Sequence, residues 1–220
     1  TEYSMRASVL ICTPDSSTER FKRCYDAVIA TTKGISFDLR IVDNRYTKTF
    51  SQQDEINKMK KIADGPVINM DDDVIVQGNW FNGLLDRVTP EVGLICCNMT
   101  NKSDIPAPIT APATGLCCTL LNIPVWPNQI VVDTGYKKYF FDPDLCLQLW
   151  AAGLQVKVIP EKIHHENGGA MKELGLDREG PHEHDRLRFK KRWIDSGKYA
   201  ELSERYKGIW DFELRKAIYS

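Results

Sequence analysis

Three consecutive aspartates, Asp71, Asp72 and Asp73, interrupt an apolar run in the segment VINMDDDVIVQGNW. Like charges this close repel, raise a pKa and destabilise the chain unless something positive meets them, so such a cluster at the end of a hydrophobic strand points to a partner. Side chains alternate along an extended strand, which sends Asp71 and Asp73 to one side and Asp72 to the other. Two carboxylates on one side suit a hard divalent cation; a solvated turn or a helix cap is the plainer alternative. Two earlier apolar runs also end in polar or turn-forming residues, ASVLIC in Thr13 and Pro14 and FDLRIV in Asp43 and Asn44. Further on, FFDPDLCLQLWAAGLQVKVIPEKIHH puts Asp142 and Asp144 just ahead of a helix and His164 and His165 just behind a strand. A neutral imidazole is a good manganese ligand, and a carboxylate at a helix N-terminus can act as a base or stabilise a developing charge. Taken singly, these residues also serve as helix caps and strand-end turns.

The elements that must position these groups follow from hydrophobic periodicity. Short apolar strands alternate with longer helical stretches through the first half: ASVLICT, then a helix capped by Ser17 or Thr18 and ending at Gly34, then FDLRIVDN, the helix SQQDEINKMKKIADG and the strand PVINMD. That alternation predicts crossover units and a mainly parallel sheet, with the three strand ends on one edge, where open α/β sheets bind ligands. NWFNGLLDRV reads as a short helix, EVGLICCNM and GLCCTLL as strands, PDLCLQLWAAG as a helix with proline in its first turn, and LQVKVIP as a strand. SDIPAPITAPATG reads as a loop beside the site, and His184 to Ser220 as a helical tail with an apolar face that includes Trp193, Leu202, Tyr206, Trp210 and Leu214. His182 and His184 in GPHEHDRLRFKKRW have metal-like spacing, but a solvated helix start explains the stretch.

Composition bounds the answer. The 220 residues are 42% hydrophobic and 27% charged with a formal net charge of -1, which fits one α/β domain and gives no bulk charge for nucleic acid or an anionic membrane. No apolar run reaches the roughly 20 residues of a membrane-spanning helix. Seven cysteines, most of them inside apolar runs and none at C-x-x-C spacing, predict buried, reduced thiols in a cytoplasmic protein rather than disulfides or zinc. The opening TEYSMRASVLIC has no secretory pattern and no initiating methionine, so the chain reads as a domain cut from a longer protein.

The segments LICTPDS, RIVDN, NMDDDVIV and FDPDLCLQLWAAGLQVKVIPEKIHH together resemble the nucleotide-sugar glycosyltransferases of the GT-A fold, particularly glycosyltransferase family 2, over roughly Ala7 to Gly169. The chain as a whole also resembles the glycosyltransferase domains that decorate the capsid glycoprotein of large algal viruses, which would place it in a host cytoplasm. The resemblance implies a single GT-A domain, an α/β Rossmann-like fold with a mainly parallel central sheet and a helical C-terminal tail. Nucleotide binding would fall to about residues 7–100, acceptor and catalysis to about 101–180, and the tail to about 182–220.

The same resemblance implies transfer of a hexose or deoxyhexose from a UDP-sugar to a glycan or glycoprotein hydroxyl, with Mn2+ or Mg2+ as cofactor. Thr13, Pro14, Asp43, Asp71 and Asp72 would bind the nucleotide sugar, Asp73, Asp71 and His165, or else His164, the metal, and Asp142 would be the general base. Phe141 stands where the family has an acidic residue and Gln148 where it has arginine, and no Q-x-x-R-W motif follows, so a processive polysaccharide synthase is not expected. A metal-dependent phosphoesterase or nucleotidyltransferase, or a catalytically silent sugar-binding module, remains open. Trp80, Phe140 and Phe141 could stack on a sugar, although aromatic residues beside apolar runs usually join the core. Gly168 and Gly169 suggest a lid loop or an ordinary turn.

Overall fold

Apolar strands and one-faced helices bury their surfaces most economically as a sheet covered on both sides. The computed structural model, which describes residues 6–46, 51–99, 108–166 and 179–211, has that form. The strands are β1 (Ser8–Thr13), β2 (Asp38–Asp43), β3 (Val67–Asp71), β4 (Val74–Val76), β5 (Val92–Met99), β6 (Ile109–Thr110), β7 (Cys118–Leu121) and β8 (Gln155–His165). They lie in the order β2-β1-β3-β7-β5-β8-β4, with β6 on β8. β1, β2 and β3 are mutually parallel, β7 is antiparallel to both β3 and β5, and β8 is parallel to β5, so β1, β2, β3, β5 and β8 share one direction. The antiparallel β7 was not legible as such, because an apolar strand carries no mark of its direction.

Alternation along the strands divides the core into two faces. Val9, Ile11, Ile68, Met70, Ile95 and Cys97 meet helices α1 (Glu19–Thr31) and α3 (Trp80–Leu85) through Phe21, Val28, Trp80 and Leu84. Leu10, Cys12, Val67, Leu94 and Cys96 face the other way, toward α2 (Gln52–Ile62), α4 (Phe141–Ala151) and the tail residues Phe189, Trp193 and Leu202. Trp80 is thus a core residue, 0% exposed, and its Nε1 donates to Thr31 Oγ1 at 2.8 Å. Thr18 caps α1, accepting from the Phe21 amide, and Ser51 caps α2, accepting from the Asp54 amide. All seven cysteines are buried and none forms a disulfide. Burial pushes the Cys24 thiol up to about 12.

β8 runs five residues past the predicted end of LQVKVIP. Its pairing with β5 jumps from Cys97↔Ile159 to Asn98↔Lys162, so Pro160, which has no amide hydrogen to give a ladder, sits in an irregularity where none is required. Beyond it the strand pairs with β4, setting His165 opposite Val74. The tail comprises α5 (Glu179–Phe189), a π-helical turn (Lys190–Ile194) and α6 (Lys198–Arg205). Gly168, Gly169 and Leu214 lie outside the described residues. Among the described residues no helix is long and apolar enough to cross a membrane.

Candidate metal and nucleotide site

The parallel register brings Thr13, Asp43 and Asp71 to one edge: Thr13 pairs with Asp43 across β1 and β2, and Cys12 with Asp71 across β1 and β3. β8 shares their direction, so its carboxyl end brings His165 to the same edge. His165 Nε2 lies 2.9 Å from Asp73 Oδ1 and 3.7 Å from Asp71 Oδ2. One ligand atom from each of the three residues falls within 4.8 Å of the others. Two carboxylate oxygens and an imidazole nitrogen form a donor set that manganese accepts readily, so these residues fit the cation. Burial, and then the neighbouring Asp73 carboxylate, raises the Asp71 carboxyl above its ordinary range.

Surrounding bonds hold these groups in place. Gln52, in the first turn of α2, donates from Nε2 to Asp71 Oδ1 at 2.9 Å and to Asn69 Oδ1 at 3.2 Å. The Asp71 amide donates to the Cys117 carbonyl at 2.8 Å, and the Glu166 amide to the Asp73 carbonyl at 3.0 Å. Glu166 is in turn paired with Arg23 of α1 at 2.8 Å.

Asp72 differs. Both it and Asp73 are 5% exposed, but the Asp72 Oδ2 accepts from Thr13 Oγ1 at 2.6 Å and from Arg20 at 2.9 Å. It was expected in the nucleotide-sugar set; here its carboxylate is engaged by Thr13 and Arg20 behind the edge. Thr13 is also fully buried, and its hydroxyl accepts from the Asp15 amide at 3.2 Å. Pro14 is half-buried beside it. His164 is exposed and paired with Ile75, and it does not join the Asp71, Asp73 and His165 group. Strand alternation separates the two histidines.

Asp43 ends β2 already engaged. It accepts from Arg45 at 2.7 Å, from the Ser16 amide at 3.1 Å and from the Ser16 hydroxyl. The Arg45 guanidinium, with Ser16, holds its carboxyl well below the usual range. A base edge reaching Asp43 would have to share it with Arg45.

Asp142 and Asp144 lie in the first turn of α4 with different surroundings. Asp142 is half-buried and faces Gly115, where a Cβ would stand 3.8 Å from its Oδ2. Gly115 comes two residues before Cys117, whose carbonyl takes the Asp71 amide, so Asp142 borders the strand end that carries the cluster. Asp144 is fully buried and accepts from Trp193, Gln148, Arg192 and Tyr136 at 2.7, 2.7, 3.0 and 3.1 Å. Gln148, in the position where the resemblance leads one to expect arginine, is thus part of a buried network. Asp185 was missed altogether: GPHEHDRLRF reads as a solvated helix start, yet Asp185 is 0% exposed. Its burial depends on a loop nearly fifty residues earlier, and no local pattern announces it.

Among sequences, no family model and no curated protein matches the chain. Solved structures do match. TarS 1-349 of S. aureus, in complex with UDP-GlcNAc, aligns over 97% of this chain and 78% of its own, with a TM-score of 0.55 at 14% identity. Drosophila β1,4-galactosyltransferase 7, in complex with manganese, UDP-Gal and xylobiose, aligns over 79% and 81%, with a TM-score of 0.52 at 14% identity. A glycosyltransferase involved in glycosylation of the major capsid of PBCV-1 aligns over 83% and 99%, with a TM-score of 0.51 at 9% identity. The fold is that of the GT-A glycosyltransferases.

Proposed function

We propose that the chain is a metal-dependent glycosyltransferase that moves a hexose or deoxyhexose from a UDP-sugar to a hydroxyl of a glycan or glycoprotein. The meeting of Asp71, Asp73 and His165 at the carboxyl edge of the sheet carries this reading. Manganese or magnesium held there would stabilise the charge that develops on the diphosphate leaving group. Asp71 and Asp73 would supply carboxylate donors and His165 an imidazole nitrogen, and Gln52 orients Asp71 through its Oδ1. Pro14 and Asp43 would border the base, and Arg45, bonded to Asp43, brings a positive charge to the same place. Asp142 would take the proton from the acceptor hydroxyl on its carboxylate. The manganese and UDP-sugar of the similar structures support the choice of cation and donor.

Thermal stability with UDP, GDP, CDP and dTDP, each with manganese or with chelator, tests the reading on the native chain and on Asp73→Ala. UDP with manganese at about 100 times its dissociation constant should stabilise the native protein by roughly 2.7 kcal/mol. Chelator or the substitution should abolish the effect. If no nucleotide stabilises in a metal-dependent way, the glycosyltransferase reading fails. Release of phosphate or transfer of a nucleotidyl group without a sugar would instead favour a phosphoesterase or nucleotidyltransferase.

A further inference from the structure

Asp142 is bracketed by the C-terminal tail. On its amino side, Asp185 of α5 accepts three successive amides: Lys137 at 2.8 Å on Oδ1, and Lys138 and Tyr139 at 2.8 Å each on Oδ2. His184 Nδ1 lies 2.8 Å from Oδ1. A fully buried carboxylate is tolerated only when paired, and all three amide donors to this one belong to the loop that enters α4.

The next residue, Phe140, has φ of 63°, a left-handed conformation that a bulky residue keeps only where its surroundings impose it. Its ring lies 5.2 Å from His182 and 5.6 Å from Phe189, both on α5. On the carboxyl side of Asp142, Asp144 takes the Trp193 indole at 2.7 Å and Arg192 at 3.0 Å, both from the turn after α5. Helix α4 has no side-chain cap of its own, so these bonds from the tail fix where its first turn starts.

We propose that the tail is a clamp on the catalytic turn: Asp185 and Asp144 are positioning residues that hold Lys137 to Asp144, and with it Asp142, in place for proton transfer. The role given to Asp142 rests on the glycosyltransferase reading; the clamp itself rests on the bonds above. Neither Asp185 nor Asp144 touches the Asp71, Asp73 and His165 group, so the clamp should act on turnover and not on nucleotide binding.

The test compares the native chain with Asp185→Asn, and with His182→Ala as a gentler variant at an exposed position should the first not fold. Three quantities are measured: UDP affinity with manganese, the rate of hydrolysis of UDP-glucose, UDP-galactose and UDP-GlcNAc with water as acceptor, and amide hydrogen exchange across 137–146 and 67–76. Asp185→Asn is expected to keep UDP affinity within about twofold and to lower kcat for hydrolysis by about 10²-fold at nearly constant KM. Exchange should quicken across 137–146 alone. His182→Ala should do the same to a smaller degree. Unchanged hydrolysis, or a fall in UDP affinity in step with it, overturns the positioning role. If the native chain neither binds UDP with manganese nor hydrolyses any of the three sugars, the glycosyltransferase reading falls. Hydrogen exchange then still decides the clamp, which unchanged exchange across 137–146 overturns.

Discussion

Three adjacent aspartates in this chain have two kinds of work, and the difference predicts different outcomes for substitutions one residue apart. Asp72 forms a buried pair with Arg20, their side chains 7% and 2% exposed. Removing one partner of such a pair leaves an uncompensated buried charge, so Asp72→Ala should cost about 3–5 kcal/mol, read as a lower urea midpoint. Asp73 is buried too, but it stands beside Asp71, whose pKa it helps to raise, as well as 2.9 Å from His165 Nε2. Repulsion and attraction offset, so Asp73→Ala in chelator should lower the urea midpoint by much less than Asp72→Ala while abolishing metal-dependent stabilisation by nucleotide. A loss as large as that of Asp72→Ala would mean that the Asp73 carboxylate is a structural anchor. That Asp72 points away from Asp71 and Asp73 was legible in the sequence, because alternation along a strand is a local property; its buried role was not, since it was expected to bind the nucleotide sugar. The partners were not: Arg20 lies 52 positions from Asp72 and Gln52 lies 19 from Asp71, and only the docking of α1 and α2 brings them in.

At the scale of elements, two predictions follow from how helices and strands are joined. Gly65 sits in the turn between α2 and β3, where a Cβ would strike the Arg6 carbonyl oxygen of the backbone entering β1. Neither chain can yield without shifting a strand, so Gly65→Ala should cost about 1–3 kcal/mol, measured as a fall in urea midpoint at constant slope. In the sequence, this glycine reads merely as the end of a helix; the strand crossing it is a tertiary fact.

The second prediction concerns how the tail docks. Burial works against ionisation of Asp185, but the amides of Lys137, Lys138 and Tyr139 and the His184 ring outweigh it and hold the carboxyl below its ordinary range. A folded-state pKa below the unfolded one means stability that is present above the ordinary carboxylate value of about 3.9 and lost as pH falls through the folded value. The stability gap between the native chain and Asp185→Asn, measured by urea denaturation from about pH 5 downwards, should therefore close as the solution becomes more acid. Burial raises Asp144, whose contribution runs in the opposite direction but is common to both proteins and cancels in the gap. A gap that widened on acidification would refute the role of the three amides.

Over the whole molecule, the sheet separates two cores but does not separate the site from the tail. Phe189, Trp193 and Leu202 of the tail belong to the same buried cluster as Leu94 and Cys96 of β5, Ile56 and Met59 of α2, and Leu145 and Leu149 of α4. Tyr206 seals it from outside, its ring centroid 4.6 Å from that of Trp150 and its hydroxyl donating to the Trp150 carbonyl at 2.7 Å. The apolar spacing of the tail was readable; its attachment to α4 was not, because the bonds run from Trp193 and Arg192 to a carboxylate that looks like a helix cap. A tail so embedded cannot melt alone without opening the core beneath it. Hydrogen exchange in 185–205 and in β5 should therefore lose protection together at one urea concentration. Leu202→Ala, which empties a buried site, should cost about 2–5 kcal/mol, read as a fall in that shared midpoint, without splitting the transition. Loss of protection in 185–205 at a lower urea concentration than in β5 would make the tail an independently folding appendage.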